Sequence, residues 1–328
     1  MNASNPKTAP RGAGPAETSR IDYLDATRAL ALLLGVLFHA SLSFSPVFSG
    51  WAVQDVSTGP LIPMFVTVSH SFRMETFFLM AAFFSHLVFH RKGAGEFVRT
   101  RTIRIAVPFI AGWFLLRPLL VSGWIMGAES LRGKFHFWAG IEQAFGMLRS
   151  LPAGIFTGTH LWFLYYLAII TALTLVLRGL LTLTGPWYRA VANAADKLVA
   201  WLAQSRYALP ALAGPTAGAL WFMQYWGMDT PDQSLRWNLP VLAVYGGSFA
   251  LGWMLDRQRD AIVTFSRLTL ARVIVAGMSM AAAIWLSGVQ TDPAHDHYTA
   301  AHIGFAVSYA AMMWTLVPLT IGVCRKLC

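Results

Sequence analysis

Residues 61–89, LIPMFVTVSHSFRMETFFLMAAFFSHLVF, form the apolar stretch that decides the fold class. An α-helix needs about 20 mostly apolar residues to cross the hydrocarbon core of a bilayer, and this stretch exceeds that length. Backbone groups in lipid need partners within their own segment, so an apolar run this long is predicted to be a transmembrane helix. It is long enough to tilt, or to be broken near its polar centre, where His70, Arg73 and Glu75 occur close together.

The composition of the whole chain supports the same fold class. Of its 328 residues, 56% are hydrophobic and 12% are charged, and the mean hydropathy is +0.52. Soluble domains carry about 25% charged residues. The stretches that are apolar enough to be spans are 24–44, 61–89, 103–125, 160–177, 207–226, 239–255, 270–286 and 298–323. We therefore predict an all-α protein, a polytopic transmembrane helical bundle of about eight (and up to about ten) spanning helices.

The positions of Lys and Arg predict the orientation of the bundle. They concentrate before the first span, in alternate loops and after the last span, as the positive-inside rule requires of cytoplasmic segments. An even number of spans with both termini in the cytoplasm fits this distribution, and only the loop at 126–159 departs from it. The net charge of +10 is divided among several such patches. This division argues against a nucleic-acid partner, which needs cations gathered on one face.

The sequence is predicted to form one membrane domain. Residues 1–19 are rich in Ala, Gly, Pro, Ser and Thr, and we expect a disordered cytoplasmic N-terminus there. Residues 20–328 are assigned to a single integral-membrane domain. Within it, residues 185–206 are expected to form an amphipathic interfacial helix, with Trp187, Leu198 and Trp201 toward the lipid.

Arg28 and His39 on the first span are separated by ten residues. Eleven steps of about 100° return a helix to nearly the same face and advance it by about 16 Å. Gly35 on that face allows a ligand to approach closely, and Asp25 can orient Arg28. An arginine fork suits the phosphates of a coenzyme A thioester, and an imidazole suits a general base. The structural alternative is that Arg28 snorkels to the interface and His39 bonds a neighbouring helix.

His70, Arg73 and Glu75 on the second span are expected at about the depth of His39. Charged groups at that depth pair with each other or line a cavity. Glu75 is predicted to hold one ring nitrogen of His39, as the acid of a hydrolase triad does, and Arg73 or His70 to stabilise an oxyanion. A direct ion pair between Arg73 and Glu75 is the alternative, although residues two apart lie on different faces of a helix.

The arginines that lead into the third span form a second candidate site. Arg99, Arg101 and Arg104 are typical of a positive-inside loop. Together with Arg28 they also suit an anion site for nucleotide phosphates.

His160 opens the fourth span at its outer end, where an acceptor sugar can reach it. The aromatic residues that follow, including Trp162, are equally typical of an interfacial belt. His295 and His297 lie with two aspartates in an outer loop, but their spacing is not diagnostic of a metal site, and no metal is predicted.

These motifs resemble those of the acyltransferase-3 family of membrane O-acyltransferases. The residues that carry the resemblance are Arg28-x10-His39, the stretch 76–85 (TFFLMAAFFS), Arg101-x-x-Arg104 with Pro108, and 160–164 (HLWFL). Together with 70–74 (HSFRM), they are most similar to the branch of the family that succinylates periplasmic glucans. In the second motif the family usually has Gly before Phe, where Ala82 stands here.

The resemblance implies acyl transfer from cytoplasmic acyl-CoA to a hydroxyl of an extracytoplasmic glycan, in the bacterial inner (cytoplasmic) membrane. Succinyl-CoA or acetyl-CoA would be the donor substrate, with no permanently bound cofactor. It also implies that His39 is catalytic and that three arginines bind acyl-CoA. The full predicted site comprises catalytic His39 and Glu75, acyl-CoA-binding Arg28, Arg101 and Arg104, and substrate-binding Arg73, His70, His160 and Trp162. The family commonly has about ten spans, so a count of eight fits a shortened member or an incomplete acceptor site.

The residues alone leave other mechanisms and functions open. Direct transfer to the acceptor and an acyl-His39 intermediate both suit the same side chains. A secondary transporter would use Arg28, His39 and Glu75 as a substrate or proton path, although the sequence has no repeat relating two halves. A non-catalytic partner of a glycan assembly system is the third alternative.

Overall fold

A computed structural model of the protein describes residues 22–46, 51, 53–148 and 159–328. The segment predicted to be disordered, 1–19, lies outside these residues. Throughout the described ranges the regular structure is helical, and no β-strand occurs in them. The all-α prediction is therefore confirmed.

Eleven α-helices occur in the part of the chain that the structure describes. They are α1 (Asp22–Leu42), α2 (Leu61–Arg101), α3 (Val107–Ser130), α4 (Phe137–Gly146), α5 (Trp162–Leu183), α6 (Pro186–Gln204), α7 (Ala208–Trp221), α8 (Leu239–Leu255), α9 (Arg259–Phe265), α10 (Leu270–Ser287) and α11 (Tyr298–Leu327).

Each of the eight predicted spans coincides with one of these helices. Within the described residues, five segments are long and apolar enough to cross a membrane: Asp22–Leu42, Leu61–Ser130, Trp162–Leu183, Leu270–Thr291 and Tyr298–Leu327. The segment Leu61–Ser130 contains both α2 and α3. Helix α8 is apolar but short, and α7 has only 14 residues. The membrane-helix class is thus established, while the count of eight and the cytoplasmic termini stay predictions.

Two local departures from α-helical geometry separate α2 from α3. Gly93 has φ 78° and ψ 170°, a backbone conformation that glycine adopts without steric cost, and it kinks α2. After Arg101 the chain forms a π-helical turn, Thr102–Ala106, before α3 begins. Of the predicted boundaries, 89 lies just before the kink and 103 lies within the π-helical turn. A π-helical turn inserts an extra residue into the helical repeat, and such turns are frequent at functional sites.

Helix α2 is the centre of the bundle. Its middle, from Phe78 to Phe83, is almost completely buried, and it packs against α8, α1 and α11. Gly252 on α8 allows the closest approach, because a Cβ atom there would lie 2.9 Å from Leu79 Cα and would collide with the Leu79 carbonyl oxygen. This contact fixes α2, which carries four of the predicted site residues: His70, Arg73, Glu75 and Arg101.

Helix α6 has the amphipathic character predicted for 185–206. Trp187, Leu198 and Trp201 are exposed on its surface. Its polar side is tied to the segment after α8, where Arg257 donates two hydrogen bonds to Asp196, at 2.8 and 2.7 Å. These bonds hold the pKa of Asp196 below its usual value. The ion pair therefore fixes α6 against the segment between α8 and α9.

Candidate active site

A cavity of about 860 Å³ lies at one end of the bundle. Its walls come from α1, α2, α3, the start of α5, the end of α10, α11 and the loop 222–238 that joins α7 to α8. Four predicted site residues line it: His39, His70, His160 and Trp162. The cavity therefore gathers side chains that lie more than one hundred positions apart in the sequence.

His39 lies among aromatic rings on the wall of this cavity. Its imidazole centroid is 4.7 Å from that of His160 and 5.7 Å from that of Trp51, on which it stacks. Among the described residues, His39 Nδ1 and both ring nitrogens of His160 are buried and have no hydrogen-bond partner. Two adjacent imidazoles with unsatisfied nitrogens are arranged to exchange protons with a hydroxyl group that enters the cavity.

The structure does not make the predicted hydrogen bond between Glu75 and His39. Both carboxylate oxygens of the fully buried Glu75 are without a hydrogen-bond partner among the described residues, and its electrostatic neighbours are Arg73, Tyr245 and Tyr309. The cause is helical geometry. His70 lines the cavity, and five further residues turn the helix by about 500°, which aims Glu75 about 140° away from that face. The ring beside His39 is that of His160 instead.

His70 and Arg73 both contact Phe38, the neighbour of His39. The His70 ring stacks on Phe38 at 5.4 Å, and its nitrogens lie 3.3 Å from Tyr309 Oη and 3.1 Å from Thr230 Oγ1. The Arg73 guanidinium lies 4.4 Å from the centroid of Phe38. Arg73 is 5% exposed and is not part of the cavity wall, so Phe38 lies between it and a ligand in the cavity.

Gly35 on α1 faces the same arginine, since a Cβ atom there would make an ordinary contact, 3.5 Å, with Arg73 Nη1. The space predicted beside Gly35 is thus filled by an arginine side chain of α2.

The loop 222–238 is held in place by a buried aspartate. Asp229 accepts hydrogen bonds from the backbone N–H groups of Gln224 and Tyr225 and from the side chain of Asn238, at 2.9 to 3.2 Å. Bonds to a carboxylate are stronger than neutral ones, so this residue fixes the part of the loop that covers the cavity.

A second aspartate of the same loop, Asp232, lines the cavity itself. It interacts electrostatically with His160, and the interaction opposes the rise in pKa that burial causes at Asp232. Asp232 is therefore a carboxyl group that interacts with His160, the neighbour of His39.

The predicted arginine site lies toward the opposite end of α1. Arg28 pairs with Asp25 at 3.1 Å and lies 5.1 Å from the ring of Phe84. Arg101 is half-buried over Phe97, and its electrostatic neighbours are Arg104 and Arg28. The structure therefore brings together the three arginines that the sequence assigns to phosphate binding. The eleven residues from Arg28 to His39 correspond to about 16 Å along the helix.

Comparison with known proteins identifies the family. The model of the acyltransferase-3 family, described as an acyltransferase domain, matches residues 21–326. The chain belongs to the acyltransferase-3 family. Glucans biosynthesis protein C of Escherichia coli strain K12 is 30% identical over 159 residues, which are 48% of this chain and 39% of that protein. The same protein of Escherichia coli O1:K1 / APEC has the same identity over the same length. No solved structure matches the chain significantly.

The resemblance stated from the motifs is thus confirmed for this acyltransferase-3 chain. The matched region covers well under half of the curated relatives, so their activity is not transferred to this protein as a whole. Within the described part of the chain, no group of three or more His, Cys, Asp or Glu side chains is placed to hold a metal ion.

Several residues around the cavity were not predicted from the sequence. Trp51 and Trp124 flank His160, with ring centroids 5.6 and 6.2 Å from it. Arg117, on α3, lines the cavity with them. Arg117 lies inside a predicted span, and a cation in that position is the signal that identifies it. No comparable signal marks Asp232, which lies in a loop where aspartates are common.

Proposed function

We propose that the protein is a membrane-embedded O-acyltransferase of the bacterial inner membrane. It moves a succinyl or acetyl group from cytoplasmic acyl-CoA to a hydroxyl of an extracytoplasmic glycan. The observation that supports this proposal best is the pair of adjacent imidazoles, His39 and His160, in the wall of a cavity large enough for a sugar unit. Family membership makes acyl transfer the reaction to test first.

The donor would bind at the arginine-rich end of α1. Phosphate groups prefer guanidinium partners because the planar fork donates two parallel hydrogen bonds. Arg28, Arg101 and Arg104 offer three such groups, and Arg104 belongs to the π-helical turn. The distance of about 16 Å to His39 along α1 is comparable with the length of a pantetheine arm. In this proposal, acyl-CoA would be a donor substrate that enters from the cytoplasm, with no permanently bound cofactor.

The acceptor would enter from the opposite side. His39 removes the proton of the acceptor hydroxyl as its oxygen attacks the thioester carbonyl, so that a C–O bond forms and the C–S bond breaks. The proton passes to the departing coenzyme A sulfur, which leaves as the thiol. His160 adjoins His39 and contacts the same cavity, and it is placed to share or relay the proton.

Asp232 would supply a carboxylate in place of the predicted Glu75, and it would act on His160 rather than on His39. It is a cavity-lining carboxylate whose charge favours a protonated His160 next to His39. His70 would orient the acceptor from the same wall, since its ring nitrogens lie near hydroxyl groups of Thr230 and Tyr309. Arg73 would act from behind Phe38 as a fixed positive charge rather than through direct contact.

The test is acyl transfer by the purified full-length protein in lipid nanodiscs. Labelled acetyl-CoA and succinyl-CoA are supplied with a cell-envelope glycan extract, and labelled glycan and free coenzyme A are both measured. Wild type should release one coenzyme A for each acyl group transferred. His39→Ala should lower transfer by a factor of about 100 or more, which is the usual contribution of a general base, while it still binds coenzyme A.

His90→Ala is the matched control, because His90 lies on α2 in an exposed position away from the cavity. Full transfer by His39→Ala would disprove the role of His39. A wild-type protein that neither binds coenzyme A nor releases it in the presence of acceptor would contradict acyl transfer and favour a transporter.

A further inference from the structure

Helices α7 and α10 both pack against α11, and a groove lies between them. Its volume is about 270 Å³. Leu212 of α7, Val275 of α10 and Trp314 of α11 give it apolar walls. The neighbouring surface of α10 is also apolar, since Ile274 and Met278 are at least half exposed. In a membrane-spanning protein, this surface faces acyl chains.

Cationic and hydroxyl groups line one end of the same groove. Arg206 and Ser205 precede the first residue of α7, while Thr269 and Arg272 lie at the first turn of α10. Two helices therefore begin at this end, where the positive end of each helix dipole favours negative charge. Each arginine has donors to spare. Arg272 donates through Nη1 to the carbonyl oxygens of Phe265 and Arg267, and a guanidinium has three more N–H groups on Nε and Nη2.

We propose that this groove is a binding site for an anionic phospholipid. The phosphate lies between Arg206 and Arg272, with hydrogen bonds from Ser205 and Thr269, and one acyl chain follows the apolar groove along α11. Basic pockets between transmembrane helices bind such head groups. A zwitterionic lipid carries a cationic group that two arginines disfavour, so the site distinguishes phosphatidylglycerol from phosphatidylcholine.

The groove is built from other residues than the proposed donor site. The donor site uses α1, the end of α2 and the π-helical turn, whereas the groove uses α6, α7, α10 and α11. The lipid site therefore does not depend on the acyltransferase proposal.

The experiment is native mass spectrometry of the full-length protein, delipidated in detergent and titrated with phosphatidylglycerol or phosphatidylcholine. Each arginine at the head group is expected to raise the affinity for an anionic lipid about fivefold. Wild type should therefore bind phosphatidylglycerol roughly 25 times more tightly than phosphatidylcholine. The double variant Arg206→Gln/Arg272→Gln should lose this preference. Arg189→Gln, which changes an exposed arginine of α6 outside the groove, should keep it.

Loss of the two Arg272 carbonyl contacts can also unfold the protein, so a second variant tests the groove itself. Ala271→Trp fills the groove and leaves both arginines in place. It should abolish the phosphatidylglycerol adduct. Equal binding of the two lipids to wild type, or an undiminished preference in Ala271→Trp, would overturn the proposal. Displacement of the bound lipid by coenzyme A, but not by inorganic phosphate, would assign the groove to the donor substrate instead.

Discussion

The close crossing of α2 and α8 can be tested by adding a single methyl group. Gly252→Ala puts a Cβ atom 2.7 Å from the Leu79 carbonyl carbon and 2.9 Å from Leu79 Cα, and against the carbonyl oxygen. Real Cβ atoms do not approach backbone this closely. Because the obstructing atoms belong to the backbone of a buried helix, no side-chain rotation relieves the collision, and the two helices must separate.

The magnitude follows from two opposed effects. Overpacking of a close-packed interior costs about 1–3 kcal/mol, and a collision with backbone belongs at the upper end of that range. Replacing Gly with Ala inside a helix returns about 0.5–1 kcal/mol. The net destabilisation is therefore about 2 kcal/mol. Gly247→Ala on the same helix is the matched control, since nothing lies within 4 Å of a Cβ atom there, and it should be neutral or slightly stabilising.

The assay is the apparent melting temperature of the detergent-purified protein, followed by loss of the monodisperse peak in size-exclusion chromatography. A chain of this size shifts by about 2 °C for each kcal/mol, so Gly252→Ala should melt about 4 °C lower than wild type. The variant should also lose acyl transfer, because separation of α2 from α8 moves His70 and Phe38 on the cavity wall. If Gly252→Ala and Gly247→Ala melt at the same temperature, the close crossing is wrong.

Three further predictions concern single polar groups. Asp229→Ala removes the acceptor of three hydrogen bonds in the loop over the cavity, so KM for the acceptor should rise while the Kd for coenzyme A, measured by calorimetry, stays unchanged. Arg101→Gln should raise the Kd for coenzyme A about tenfold or more and leave KM for the acceptor unchanged. An unchanged Kd would show that Arg101 is not part of the donor site. Because Arg257 lowers the pKa of Asp196, their pair stabilises the fold above the unfolded pKa of about 4 and loses this effect as pH falls through the folded value. Between pH 5 and about pH 3, the melting temperature of Asp196→Asn should therefore fall less than that of wild type. The difference between the two proteins should correspond to about 0.5–1 kcal/mol of unfolding free energy.

The helices were predictable because the physical signal is long and local. An apolar run has to satisfy its backbone groups internally in lipid, so each predicted span coincides with a helix of the structure. The interfacial helix was predictable for a similar reason, since its polar and apolar residues alternate with helical period. The kink at Gly93 was harder to predict, because a glycine in a charged segment does not by itself indicate a positive φ.

The site was predictable where it depends on one helix and not where it depends on several. Arg28 and His39 share α1, so their separation follows from helical geometry, and the pairing of Arg28 with Asp25 is confirmed. The neighbour of His39 depends on how α1, α2 and α5 pack. Depth along the membrane was the only guide to Glu75, and depth does not specify which way a side chain points around its helix.

The side chain beside His39 is His160 and not the predicted Glu75, and this difference changes the mechanism that the site supports. A fully buried carboxylate beside His39 would hold one tautomer and stabilise a permanent charge. The structure instead combines two imidazoles with a half-buried aspartate across the cavity. Under the proposed mechanism, this pair would exchange a proton with a hydroxyl that enters the cavity, because no fixed hydrogen bond occupies His39 Nδ1 among the described residues. The acceptor would then complete the hydrogen-bond network, so transfer to a sugar hydroxyl would be favoured over hydrolysis whenever the sugar excludes water from the cavity.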